Sequence, residues 1–155
     1  MTAASRSCVV APERGRMGIA DANLVRPLPL MDGLARQFYD WCGCGELRFQ
    51  RCARCGAFRH IPRELCAKCG CFDWEWARSS GRGTVFSYTI VARALHPAFA
   101  NATPYAAVIV ELEEGVSLLS NVVDCPPDEL RIGMPVHVDF EKQTDTVTLP
   151  VFRSR

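Results

Sequence analysis

The sequence predicts a mainly β protein: one N-terminal helix, a small cysteine-tied ribbon and a five-stranded C-terminal barrel. Three observations carry this prediction. Two Cys-x-x-Cys-Gly turns occur at Cys52–Cys55 and Cys66–Cys69. Ahead of them, Leu34, Phe38 and Trp41 fall at helical spacing. Behind them, from residue 80 to the end, short β-type runs alternate with turn signals.

Residues 1–27 hold small residues, scattered arginines and Pro12 without helical or strand periodicity, and are expected to form a disordered tail with no assigned function. Residues 28–45 are expected to carry an amphipathic helix. Asp32 can cap it, Leu34, Phe38 and Trp41 form its apolar face, and Gly43 and Gly45 end it. That face either packs on the protein's own domain or docks on a partner, and periodicity alone does not separate the two.

The cysteine segment spans 46–79, with strand runs at 46–51, 57–61 and 74–77. Two residues between paired cysteines let both thiolates converge on one side of a tight turn, and the following Gly56 or Gly70 accepts the positive φ such a turn needs. Ten residues separate Cys55 from Cys66, enough for a hairpin that brings the pairs together. Four thiolates from Cys52, Cys55, Cys66 and Cys69 would close a tetrahedral site around one structural Zn²⁺, a rubredoxin-like zinc ribbon. With no open position, the ion's part would be folding energy for a segment too small to bury a core. Iron fits the same ligand set, and two disulfides are the covalent alternative. Arg51, Arg54, Arg63 and Lys68 lie close enough in sequence to offset the thiolate charge. Cys42-Gly43-Cys44 has a one-residue gap, poor for a knuckle, and neither it nor Cys71 is expected to bind.

Residues 80–155 contain five strand runs, at 84–92, 105–112, 116–123, 135–140 and 146–152. Glu114-Gly115 and Gln143-Thr144-Asp145 mark hairpins, and Cys125-Pro126-Pro127-Asp128 opens a short helical turn. Five short strands with one long connection fit a Greek-key barrel of the OB type. Gly81-Arg82-Gly83 reads as a flexible turn between ribbon and barrel.

Bulk properties narrow the function. Of 155 residues, 48% are hydrophobic and 23% charged, with mean hydropathy +0.01, the balance of a soluble globular protein. A net charge of +1 gives no global attraction to nucleic acid or anionic lipid. No apolar run approaches the roughly 18 residues a membrane-spanning helix needs. Arg6, Glu13, Arg14 and Arg16 interrupt the first twenty positions, so no secretory signal is expected and the location is read as cytoplasmic. In that reducing compartment nine cysteines point to metal rather than disulfides.

No catalytic set emerges. His137 alternates outward between Val136 and Val138, and His60 precedes Pro62 between the knuckles, a packing or surface position. His96, in the loop 93–99, is best placed to meet a ligand, but no nucleophile or partner carboxylate stands beside it. The residues therefore predict a binding or scaffolding module.

The helix Gly33-Leu34-Ala35-Arg36-Gln37-Phe38-Tyr39-Asp40-Trp41, the run Leu47-Arg48-Phe49-Gln50-Arg51-Cys52, both knuckles, Ser80-Gly81-Arg82-Gly83-Thr84-Val85 and Arg131-Ile132-Gly133-Met134-Pro135-Val136 resemble the zinc-ribbon plus OB-fold proteins associated with acyl-CoA enzymes, long classed as a domain of unknown function. The resemblance implies an accessory subunit of a thiolase-like enzyme, a retro-aldolase or a MaoC-type enoyl-CoA hydratase. The helix and ribbon would dock on that partner through Leu34, Phe38 and Trp41, and the barrel would help hold or shield an acyl-CoA. Tyr88, Arg93, His96, Phe99 and Tyr105 are the pocket candidates, chosen from their place in the barrel. Cys42-Gly43-Cys44-Gly45 departs from the family by adding thiols. A nucleic-acid-binding protein is the runner-up, since ribbons and OB barrels both serve that purpose, and it would require a basic groove with exposed aromatics. An enzyme in its own right would need His96 or Cys42 to act with a carboxylate.

Overall fold

Strand alternation and the two knuckles build two antiparallel sheets joined by a single helix. The computed structural model describes residues 26–155, and the tail expected over 1–27 falls outside them up to residue 25. Helix α1 spans Gly33–Gly43 and buries Phe38 and Cys42, one turn apart. Asp32 stands at its N-cap in extended conformation but makes no side-chain cap bond. Its backbone oxygen instead accepts from Arg36 N at 2.9 Å, so the capping expected of its carboxylate is not used. Gly45, at φ +73, turns the chain out of the helix.

The ribbon sheet holds β1 (Arg48–Cys52), β2 (Phe58–Arg59) and β3 (Trp74–Arg78) in the order β2-β1-β3. The larger sheet holds β4 (Arg82–Val91), β5 (Tyr105–Leu112), β6 (Ser117–Ser120), β7 (Pro135–Lys142) and β8 (Thr148–Ser154) in the order β6-β5-β4-β7-β8. It curls into a half-barrel. A bulge between Val85 and Ser87 helps it bend and pushes Phe86 outward. The run expected as a strand over 116–123 stops pairing at Ser120. Residues beyond it cross to β8, where Asn121 O accepts from Phe152 N at 2.8 Å and Val123 N donates to Phe152 O at 2.9 Å, drawing the two edges together. At Pro126, where a short helical turn is expected, Glu129 N donates to Pro126 O at 2.9 Å and closes a single turn.

Apolar side chains alternate into one core: Val85 on β4, Val108 and Val110 on β5, Val136 on β7 and Phe152 on β8 are nearly inaccessible, and Phe38, Leu47 and Phe49 join the same cluster. The segment between ribbon and barrel is ordered, which corrects the flexible turn expected at 81–83. Ser79 N donates to Leu47 O, Gly81 O accepts from Val138 N, and the Glu114 carboxylate accepts from Ser79 Oγ and Ser80 N. A β-carbon at Gly83 would collide with the Glu111 carbonyl, so glycine is set there by close approach of β4 to β5. Among the described residues no helix is long and apolar enough to cross a membrane.

Candidate metal centre and ligand cleft

The two knuckles fold as copies of one another. Gly56 N donates to Cys52 O and Gly70 N to Cys66 O, each at 2.9 Å, while Cys52 N donates to Ala57 O and Cys66 N to Cys71 O, each at 3.0 Å. Gly56 and Gly70 take φ values of +69 and +71, which L side chains rarely adopt. Ala53 N, bonded to Asp73 O, ties the first knuckle to the chain entering β3. In consequence the four sulfurs lie within 4.8 Å of one another. Cys52 Sγ is 3.6 Å from Cys69 Sγ, and Cys55 Sγ is 3.7 Å from Cys66 Sγ. A tetrahedral ion with metal–sulfur bonds of about 2.3 Å has edges of about 3.8 Å, so the cluster has the size such an ion requires.

Its electrostatics also call for a cation. The backbone N–H of Cys55 leads in lowering the Cys52 thiol to about 6, and that of Lys68 leads in lowering Cys66. Cys69 moves the other way, up to about 12: the Cys71 N–H favours its thiolate, but burial and the sulfurs of Cys55, Cys52 and Cys66 outweigh it. Four neighbouring thiolates repel one another, and a divalent ion removes that repulsion. The set is closed, so a bound ion would stabilise the fold without activating water. Cys71 Sγ turns to Asp73 O at 3.8 Å instead. Burial pushes the Cys42 thiol up to about 12, which leaves it protonated and a poor nucleophile.

A buried polar residue that sequence patterns do not reveal steadies the loop between the knuckles. Gln50, fully buried on β1, accepts at Oε1 from Arg59 Nε (2.8 Å) and Arg63 N (2.7 Å). His60 packs its ring against Phe38 and Phe49, at centroid distances of 4.9 and 5.5 Å, and burial lowers its pKa to about 4. It is a neutral packing residue at pH 7.

The pocket candidates divide. Phe99 and Tyr105 line a cleft of about 540 Å³, with Pro104, Val122, Leu149 and Val151 forming much of the remaining wall. Their rings are 5.9 Å apart, and the Arg26 guanidinium lies 5.3 Å from the Phe99 centroid. His96 stands beside the cleft: its Nδ1 accepts from Ala98 N, capping a 3₁₀ turn at Pro97–Phe99, and its ring meets Phe99 edge-on at 6.3 Å. That turn, started by Pro97, aims Phe99. Tyr88 lies elsewhere, its hydroxyl donating to Leu130 O at 3.0 Å, and Arg93 is an exposed loop residue outside the cleft wall. Sequence reading missed Arg26, Val122 and Leu149, because only barrel closure through 121–123 brings these segments together.

The helix face divides too. Phe38 is 3% exposed and belongs to the chain's own core, which leaves it no surface for a partner. Leu34 and Trp41 are half-buried, and the Arg48 guanidinium covers Trp41 at 4.0 Å from its ring.

Residues 45–75 match the ChsH2 rubredoxin-like zinc ribbon domain, and residues 76–141 match the ChsH2 C-terminal OB-fold domain. A probable enoyl-CoA hydratase alpha subunit of Thermomonospora curvata is 40% identical over 129 residues, 83% of this chain and 40% of that protein. The chain thus spans well under half of that relative. A DUF35 domain-containing scaffold protein of Methanothermobacter thermautotrophicus is 36% identical over 98 residues, 63% of this chain and 73% of its own length. Among solved structures, a chain described as Ltp2-ChsH2(DUF35) aldolase superposes with a TM-score of 0.75 at 38% identity, covering 82% of this chain and 98% of that one. Ribbon and barrel are matched in the same order along the sequence, and the chain belongs to the DUF35 family of ChsH2-type zinc-ribbon and OB-fold proteins.

Proposed function

We propose that this chain is an accessory, non-catalytic subunit of an acyl-CoA-processing enzyme, either a thiolase-fold aldolase or thiolase or a MaoC-type hydratase. In this reading one Zn²⁺ held by Cys52, Cys55, Cys66 and Cys69 rigidifies the ribbon, and helix and ribbon meet the partner through Leu34 and Trp41. The Phe99–Tyr105 cleft, flanked by His96, shields the CoA ester. One observation carries it: the match over 98% of a chain in an aldolase complex, at 38% identity.

Co-expression with thiolase-fold and MaoC-type subunits from the same source tests the reading. The expected result is a stable complex by light scattering, turnover by the partner that falls when this chain is omitted, and one zinc per chain by elemental analysis. Failure to assemble with, or to change the rate of, any such subunit overturns it.

A further inference from the structure

A second groove, of about 600 Å³, shares only Asn121, Leu149 and Val151 with the Phe99–Tyr105 cleft. Its wall joins Ala35 and Tyr39 of α1, Ile61 and Pro62 between the knuckles, and all four residues of β6. Leu118 is buried and Leu119 is 70% exposed, so side chains from both faces of β6 reach the groove, which therefore runs along the edge of the strand. No charged residue lines it among the described residues.

β6 ends the five-stranded sheet. Leu112 N donates to Val116 O, and the register Val110↔Leu118 and Val108↔Ser120 continues that ladder. Alternation then turns the N–H and C=O of Ser117 and Leu119 away from β5, and these four groups have no protein partner among the described residues. Edges elsewhere are blocked. On β8, Phe152 N donates to Asn121 O and Phe152 O accepts from Val123 N. On β3, Trp76 O accepts from Arg48 Nη1 at 3.1 Å, and Glu75 and Arg78 set charges on the strand. β6 instead reads Ser-Leu-Leu-Ser, with no charge, proline or bulge to keep an added strand away.

We infer that this groove takes an extended, uncharged segment of the enzyme subunit, which pairs with β6 as a sixth strand and sets alternate side chains against Tyr39 and Ile61. The inference rests on the accessory-subunit reading above and specifies how that subunit is gripped. α1, which lines the groove, also carries Leu34 and Trp41, so the groove continues the surface already proposed for that subunit. A second copy of this chain fits less well. Edge-to-edge pairing of two β6 strands would drive each copy's α1 and 60–62 loop against the other's, because a concave edge is not complementary to itself. A free-standing segment needs only about 13 Å of extended chain to match the length of β6.

The zinc-loaded full chain is titrated, by fluorescence polarisation, with a labelled Thr-Val-Thr-Ile-Thr-Val-Thr peptide and with two versions N-methylated on alternate residues. Saturable binding is expected, weakened about tenfold by one alternation, whose N–H groups face β6, and little by the other. Leu119→Lys should weaken it about tenfold with the circular dichroism unchanged. Photo-reactive benzoylphenylalanine in place of Ile61, in the full chain co-expressed with thiolase-fold or MaoC-type subunits, should cross-link to one segment of the enzyme subunit. Cross-links to residues 1–25 of the same chain or to a second copy, equal effects of the two methylated peptides, or no peptide binding overturns the inference. Assembly and turnover left unchanged by Leu119→Lys would also defeat it, with the accessory-subunit reading still standing. Peptide pairing by a chain that no enzyme subunit joins would uphold strand docking on β6 and defeat only that reading.

Discussion

Gln50 is fully buried, yet only one end of its amide is used: Oε1 takes hydrogen bonds from Arg59 Nε and Arg63 N, while Nε2 has no partner among the described residues. Replacing it by leucine strands a part-buried backbone N–H and part of a guanidinium, and Gln50→Leu is expected to cost about 1–3 kcal/mol in urea unfolding. Gln50→Glu keeps the acceptor and sets a carboxylate beside Arg59, so it should cost less than leucine at neutral pH. His60 gives a pH signature. Its folded pKa of about 4 lies below the ordinary 6.5, so the unfolded chain binds its proton first on acidification. Stability is therefore lost as pH falls from about 6.5 toward 4, by up to about 3 kcal/mol. Chemical denaturation across that window should show a shallower loss for His60→Phe than for the wild type. The packing of His60 was legible in the sequence as one of two readings. The burial of Gln50 was not, because it depends on a loop thirteen residues away in sequence folding over β1.

At the scale of elements, legibility follows how local each signal is. The knuckles were readable because two-residue spacing and a trailing glycine are complete within five positions. The strands were readable from alternation, but not where β6 ends, since a non-local bridge to β8 decides that. Two predictions belong here. If an ion is bound as proposed, removing it with a chelator and a thiol reagent should release amide protection across 52–72, the segment that holds the four sulfurs, while β4 to β8 stay protected in hydrogen-exchange mass spectrometry. Gly83→Ala would set a β-carbon 2.5 Å from Glu111 O and 2.8 Å from Val110 Cγ1, forcing β4 from β5. The expected cost is about 1–3 kcal/mol, read as a lowered urea midpoint with fastest exchange along those two strands.

For the whole molecule, the decisive packing is that of α1, which contacts β1 of the ribbon together with β7 and β8 of the barrel. Phe38 is the hinge of this arrangement: its ring lies 6.3 Å from Phe49 on the ribbon side, inside the cluster that also contains Phe152 and Val136 of the barrel. The sequence gives the order helix, ribbon, barrel, but periodicity could not say that the helix spends its aromatic on joining the other two. A shared core of this kind couples its parts, so helix, β1 and barrel should unfold in one transition, with the knuckles free to open separately when the ion is stripped. Phe38→Ala removes a large buried side chain from the seam and should cost about 3–5 kcal/mol. Because the cavity lies between the two sheets rather than inside either, the loss should also split the transition. Tryptophan fluorescence, which reports Trp41 on α1 and Trp74 and Trp76 on β3, should then change at lower urea than the far-ultraviolet signal of the barrel. A variant whose two signals still coincide would mean that the ordered joint at Ser79–Glu114, rather than the helix, holds ribbon and barrel together.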